Sequence, residues 1–210
     1  MTGFGGFSDE AFEFYEGLRA DNSKTYWMAH KHVYDEAVRA PMQALLDELA
    51  PKFDASVTLF RPYRDVRFSA DKSPYKIAQG GYLSIAAGIG FWMQLDADGV
   101  TTGGGFFAHD KEQTARYRAS VDDDAAGDAL AKLLAKLTKA GYEIGGSAVK
   151  TRPRGVAADH PRLDLMRHES LTVSREIPAG EPITMASIAA GWKRVKPLVD
   201  WALVHARSSS

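Results

Sequence analysis

The chain has 210 residues, 45% hydrophobic and 25% charged, with a formal net charge of -1 and no cysteine. That length suits one buried core and predicts a single domain over residues 1–210, while the charge balance argues against a general duplex binder, which needs a broad excess of Lys and Arg. Lack of cysteine excludes disulfides, thiolate metal sites and cysteine nucleophiles, and suits a cytoplasmic protein. The opening residues lack a basic stretch leading into an apolar core, so no secretory signal is expected. No apolar run approaches the roughly 20 residues that span a bilayer, so no membrane partner is expected either.

In chain order, Ser8 predicts the cap of a first helix that turns Phe12, Tyr15 and Leu18 inward, with Phe4 and Phe7 folding over its start as a hydrophobic staple. Asp21-Asn22-Ser23 ends it, and Ser23 caps a second helix striped by Trp27, Tyr34 and Val38. Met42, Leu45 and Leu49 extend the pattern beyond Pro41, which predicts a kink or a new helix there. Strands are expected at 57–60, 63–68, 82–87 and 91–95. Asp96-Ala97-Asp98-Gly99 reads as a hairpin turn returning through 100–107. Asp110 predicts a helix cap, and a further helix over 128–140 closes at Gly141. Residues 145–162 form a Gly/Pro-rich connection with a short strand at 147–150. A helical turn at 163–166 and a strand at 170–174 precede a last helix over 184–205. There Ile188, Trp192, Val195, Val199 and Ala202 fall on one stripe, and Pro197 suggests a kink. The closing Ser208-Ser209-Ser210 reads as a frayed end. These elements predict an α+β fold, an antiparallel central sheet flanked by N-terminal, middle and C-terminal helices.

The richest chemistry lies in Arg64-Asp65-Val66-Arg67-Phe68-Ser69-Ala70-Asp71-Lys72-Ser73-Pro74-Tyr75-Lys76. Arg64, Arg67, Lys72 and Lys76 suit a phosphate or carboxylate, Arg as a rigid fork and Lys as a mobile point charge, with Ser69 or Ser73 as a hydroxyl donor. The competing reading is a salt-bridged corner in which Asp65 pairs with Arg67 and Asp71 with Lys72 or a more distant Arg. Neither serine has a neighbouring histidine that would make it a nucleophile. A second basic segment carries Arg152, and Asp159-His160 offers an acid and an imidazole for ligand contact or proton transfer. His30 and His32 do not share a helix face, and His109-Asp110 lacks further ligands, so no metal site is expected. Gly103-Gly104-Gly105, followed by Phe106 and Phe107, reads as close backbone passage, a bulge or flexibility rather than a nucleotide loop.

On the segment 64–76, on Asn22-Ser23-Lys24-Thr25-Tyr26-Trp27, and on Pro153-Arg154-Gly155 with Asp159-His160-Pro161-Arg162, the chain resembles an uncharacterised, largely bacterial family classed as a domain of unknown function (DUF2461-like). Tyr26-Trp27 replaces that family's usual Trp-Phe order and keeps its aromatic character. The resemblance covers nearly the whole chain and implies one domain, with no reaction attached.

The expected function is binding of a small phosphorylated or carboxylated ligand at a basic pocket built from Arg64, Arg67, Ser69, Lys72, Lys76, Arg152 and His160. The alternatives are a noncatalytic module contacting protein or single-stranded nucleic acid, and an enzyme acting on a phosphorylated small molecule. Residue types alone name no cofactor.

Overall fold

The structure is a computed structural model that describes residues 3–108 and 110–208. The expectation for His109 as a ligand, and that for Ser209 and Ser210 as a frayed end, lie outside the described residues. Helices α1 (Asp9–Ala20), α2 (Lys24–Val33) and α3 (Ala40–Phe53) come first, with a π-helical stretch, Tyr34–Arg39, between the last two. Strands β1 (Ser56–Leu59), β2 (Gln79–Ala86), β3 (Ile89–Leu95) and β4 (Gly99–Phe106) follow. Then come α4 (Lys111–Asp122), α5 (Asp124–Lys139), β5 (Glu143–Gly145), the short α6 (Leu163–Met166), β6 (Leu171–Pro178) and α7 (Met185–His205). Among the described residues six strands form one antiparallel sheet in the order β1-β2-β3-β4-β6-β5, with helices flanking it. This is the α+β architecture expected. At the β5 edge, Glu143 faces Ser174 and Gly145 faces Thr172.

By internal packing the chain divides into two compact units. One comprises residues up to Leu83 with Trp92–Thr102 and Glu176–Ala189; the other comprises Ser84–Phe91, Gly103–Arg175 and the chain from Ala190 onward.

In the first unit, α1 buries Phe12, Phe14, Tyr15 and Leu18, and α3 buries Leu45, Leu46 and Leu49. Each such side chain contributes roughly 1.5–3 kcal/mol by leaving water. The Ser23 hydroxyl caps α2 by accepting from the Tyr26 N–H at 3.1 Å, whereas Ser8 starts α1 without a side-chain cap bond. Phe4 and Phe7 meet edge to face with their centroids 5.2 Å apart, and the Phe4 N–H donates to Glu48 Oε1. Pro41 falls in the first turn of α3, the new helix expected there, and the helical turns run on into it without a break. An α-helical ladder would drive its ring against the carbonyl four residues back. The turn before it widens instead, and the Ala40 N–H reaches five residues back to the Asp35 carbonyl.

In the second unit, Asp110 caps α4 by accepting from the Gln113 N–H, and Asp123 caps α5 by accepting from the Ala126 N–H. That second cap starts α5 at Asp124, ahead of the expected 128. The helix closes at Gly141, whose φ of 84° is the left-handed conformation that favours glycine. Helix α7 runs unbroken through Pro197 with its expected stripe fully buried. Phe91 stacks on Trp192 at 5.4 Å, and Phe106 packs on Tyr117 at 4.9 Å.

The expected strand at 63–68 is absent. That segment makes one isolated bridge, Tyr63 with Tyr75, and otherwise runs as loop. Likewise 147–150 supplies only the bridge between Ala148 and His168, the strand having formed earlier, at Glu143–Gly145. Gly103, Gly104 and Gly105 are buried inside β4. A Cβ on Gly105 would run into the Leu171 carbonyl oxygen, so of the readings offered for this run, close backbone passage is the one realised.

Candidate functional site

The segment 61–76 of the first unit is a loop pinched at its base and built against itself toward its tip. At the base the Arg64 N–H donates to the Pro74 carbonyl at 2.9 Å, and the Lys76 N–H to the Pro62 carbonyl at 2.8 Å. Pro74, which has no N–H, sits where only its carbonyl is needed. These bonds close the stretch 65–73 into a compact excursion.

The base is then bolted to α2 and the turn before it. The Asn22 side-chain amide donates to the Tyr75 carbonyl at 3.0 Å and accepts from the Tyr75 N–H at 3.1 Å, so one amide serves both polar groups of that residue. The Trp27 indole lies flat on the Tyr75 ring, centroids 4.2 Å apart and planes 8° from parallel. Tyr63 approaches Tyr75 at 5.5 Å and Trp27 at 6.1 Å. Beneath, the Tyr34 hydroxyl donates to Gln79 Oε1 at 2.6 Å, and Gln79 Nε2 donates to the Phe60 and Gly80 carbonyls at 2.8 Å. Burial pushes the Tyr34 phenol up to about 12.

Above the base, the acids are consumed by the loop's own donors. Asp65 takes the Arg67 guanidinium as a fork, Nε at 2.9 Å and Nη2 at 2.6 Å, with the Arg67 N–H at 3.3 Å. Asp71 accepts from the Ser73 hydroxyl at 2.6 Å, from the Ser73 N–H at 2.9 Å, and from Arg64. The Ser73 hydroxyl and then the Arg64 guanidinium hold the Asp71 carboxyl well below the usual carboxylate range. Arg67, through its side chain first, lowers that of Asp65. The Lys72 ammonium donates to the Val66 carbonyl at 3.0 Å.

Two acids thus neutralise two of five cations. Arg61, Lys72 and Lys76 remain as surplus positive charge, Lys76 with its ammonium 5.6 Å from the centre of the Phe60 ring. The Ser69 N–H donates to the Val66 carbonyl at 3.4 Å, and the residue is half-buried. Phe68, at the tip, is 97% exposed, with the Arg67 guanidinium carbon 5.9 Å from its ring centre.

The remaining sequence candidates lie in the second unit. Arg152 is exposed and donates to the Val156 carbonyl. His160 is wedged against the α4–α5 corner. Its Nδ1 accepts from the Arg162 N–H at 3.0 Å, which puts the ring proton on Nε2, 3.1 Å from Asp122 Oδ1. Both ring nitrogens are therefore engaged. Arg162, only 9% exposed, clamps that corner. Its guanidinium donates to the carbonyls of Val121 at 2.7 Å and Asp122 at 3.0 Å, which end α4, and to Asp128 at 2.7 Å and Asp124 at 3.0 Å, which open α5. Gly127 leaves room for it, since an added Cβ would sit 2.5 Å from Arg162 Nε.

Arg64, Arg67, Ser69, Lys72 and Lys76 thus come together on one loop, while Arg152 and His160 belong to the other unit and find partners within it. The residues that shape the loop but escape a charge-based reading are Asn22, Trp27, Tyr63 and Tyr75. The available signal was the pairing of an Asn-to-Trp segment with the central basic segment in the same resemblance. Among the described residues, no three His, Cys, Asp or Glu side chains group as metal ligands, and no helix is long and apolar enough to cross a membrane.

Residues 10–201 match the family described as conserved hypothetical protein (DUF2461). No curated protein matches the chain.

Proposed function

The chain belongs to the conserved hypothetical protein family DUF2461, and on that premise we propose a binding role in which the loop 61–76 contacts a phosphorylated or carboxylated ligand. Lys76, Arg61 and the Ser69 hydroxyl face the anion; Arg64, Arg67 and Lys72 hold the loop in shape. The observation that carries this reading is the surplus of positive charge left after Asp65 and Asp71 are satisfied inside the loop. On a chain of net charge -1 that surplus is local, which favours one anionic group or a short anionic stretch.

A purely structural corner accounts for less. Exposed ion pairs such as those of Asp65 and Asp71 add little to stability, because water and salt screen them. The base, with its buried Trp27 and Tyr75, already anchors the chain, so the ion pairs above it add shape more than stability. Such preorganisation lowers the entropic cost of binding.

The test is NMR titration of the backbone amides with inorganic phosphate and, separately, acetate, at constant ionic strength. Saturable shifts confined to 61–76, lost in the double variant Arg61→Ala/Lys76→Ala, are expected. Shifts spread evenly over the surface, or unchanged in that variant, would overturn the proposal.

A further inference from the structure

We infer that the anionic partner of this loop is single-stranded nucleic acid, its phosphates on Arg61 and Lys76 and a base stacked on Phe68; this rests on the anion-contact reading above. The first observation is Phe68. A large aromatic ring at 97% exposure has no part in the core, and the loop's internal bonds hold it out in solvent at the tip. The second is the pairing of rings with cations. Arg67 lies over Phe68 and Lys76 over Phe60, and Phe60 and Tyr63 are themselves 44% and 47% exposed. Exposed rings interleaved with cations through residues 60–76 suit a strand whose flat bases stack and whose backbone carries charge at every step.

Duplex is disfavoured, because its bases present no free face and the chain has no general positive excess. A lipid surface fits poorly: sinking Phe68 into acyl chains would carry along Arg67 and the Asp65 carboxylate bound to it. An acidic peptide would satisfy the cations but would leave the exposed rings of Phe60, Tyr63 and Phe68 without flat partners.

The experiment is fluorescence anisotropy at low salt with labelled oligothymidylate and an abasic oligonucleotide of equal length, which keeps the phosphates and removes the bases. Wild type is expected to bind the oligothymidylate roughly tenfold more tightly, the scale of one aromatic stack. Phe68→Ala should erase that preference while leaving abasic binding intact, Phe68→Trp should restore it, and Arg61→Ala/Lys76→Ala should weaken both. Equal wild-type binding to the two oligonucleotides, or a preference that survives Phe68→Ala, overturns the inference. So does binding to phosphatidylserine vesicles without binding to oligothymidylate. In each case the phosphate-induced shifts decide separately whether the anion-contact reading stands. Because Phe68 touches no core residue, circular dichroism of Phe68→Ala should match wild type and exclude misfolding as the cause.

Discussion

Asn22 shows how a single side chain can hold a loop that carries its own charges elsewhere. Its amide meets both backbone groups of Tyr75, so Asn22→Ala strands a donor and an acceptor at a half-buried site. The expected loss is about 1–3 kcal/mol, read from the urea midpoint. Phe68→Ala, by contrast, should leave that midpoint within about 0.5 kcal/mol, since the ring is almost wholly in water. Asp71 responds to acid. Its carboxyl is depressed by the Ser73 hydroxyl first and Arg64 second, so its ordering of the loop is complete above the unfolded value of 3.8 and is lost as pH falls through the lower folded value. Amides 64–73 should therefore keep their ordered NMR signals at about pH 4 and sharpen into mobile ones only in much stronger acid, and Asp71→Asn should show the same mobility at neutral pH. At this scale the sequence revealed which residues carry charge. It also pairs Asp65 with Arg67, as the fold does, and offers Asp71 either Lys72 or a more distant Arg; the fold takes the distant one, Arg64, and adds the Ser73 hydroxyl. Sequence neighbours in a loop face wherever the turn sends them.

Elements obeyed their periodicity where one face is buried and departed from it where backbone contacts ruled. The final helix formed on its apolar stripe straight through Pro197, and the hairpin at Asp96–Gly99 closed with the Asp96 N–H on the Gly99 carbonyl. Residues 63–68 alternate like a strand, yet their partner is a short stretch of the same loop, and alternation cannot tell a sheet neighbour from a two-residue pinch. The strand expected at 82–87 starts earlier, at Gln79, and takes in Gly80 and Gly81, where the Phe60 ring and Leu46 occupy the space in which Cβ atoms would stand. Two substitutions test this backbone control. Gly105→Ala places a methyl against the Leu171 carbonyl in a strand that cannot yield, and should cost at least about 3 kcal/mol or prevent folding, as followed by thermal melting. Gly127→Ala gains about 1 kcal/mol of helix propensity. It should nonetheless destabilise, because the new methyl collides with the Val121 carbonyl and displaces Arg162 from the α4–α5 corner.

For the whole molecule the clearest titration lies at alkaline pH. Burial raises the phenols of Tyr15 and Tyr117 far above their ordinary value, and those of Tyr34 and Tyr82 to about 12. Each raised pKa contributes stability that is complete below the unfolded value of 10 and is lost as pH rises toward the folded one. Urea midpoints should fall steeply between about pH 10 and pH 12. Tyr34→Phe should lower the midpoint at neutral pH, by leaving Gln79 Oε1 unpartnered, and flatten the alkaline slope. An unchanged slope would show that Tyr34 ionises equally in both states.

Composition and periodicity alone determined the α+β class, the order of helices and strands apart from the strand expected at 63–68, the helix caps at Ser23 and Asp110, and the cationic segment that carries the proposed contact. These are local properties, written in side-chain spacing and in backbone groups that need a nearby partner. Only the tertiary structure decided that Asn22 and Trp27 grip Tyr75, that His160 and Arg162 close a helical corner, and that Phe68 stands free at a loop tip. The first two depend on residues tens of positions apart meeting, and the third on how the loop's own donors and acceptors pair. Spacing along the chain carries neither.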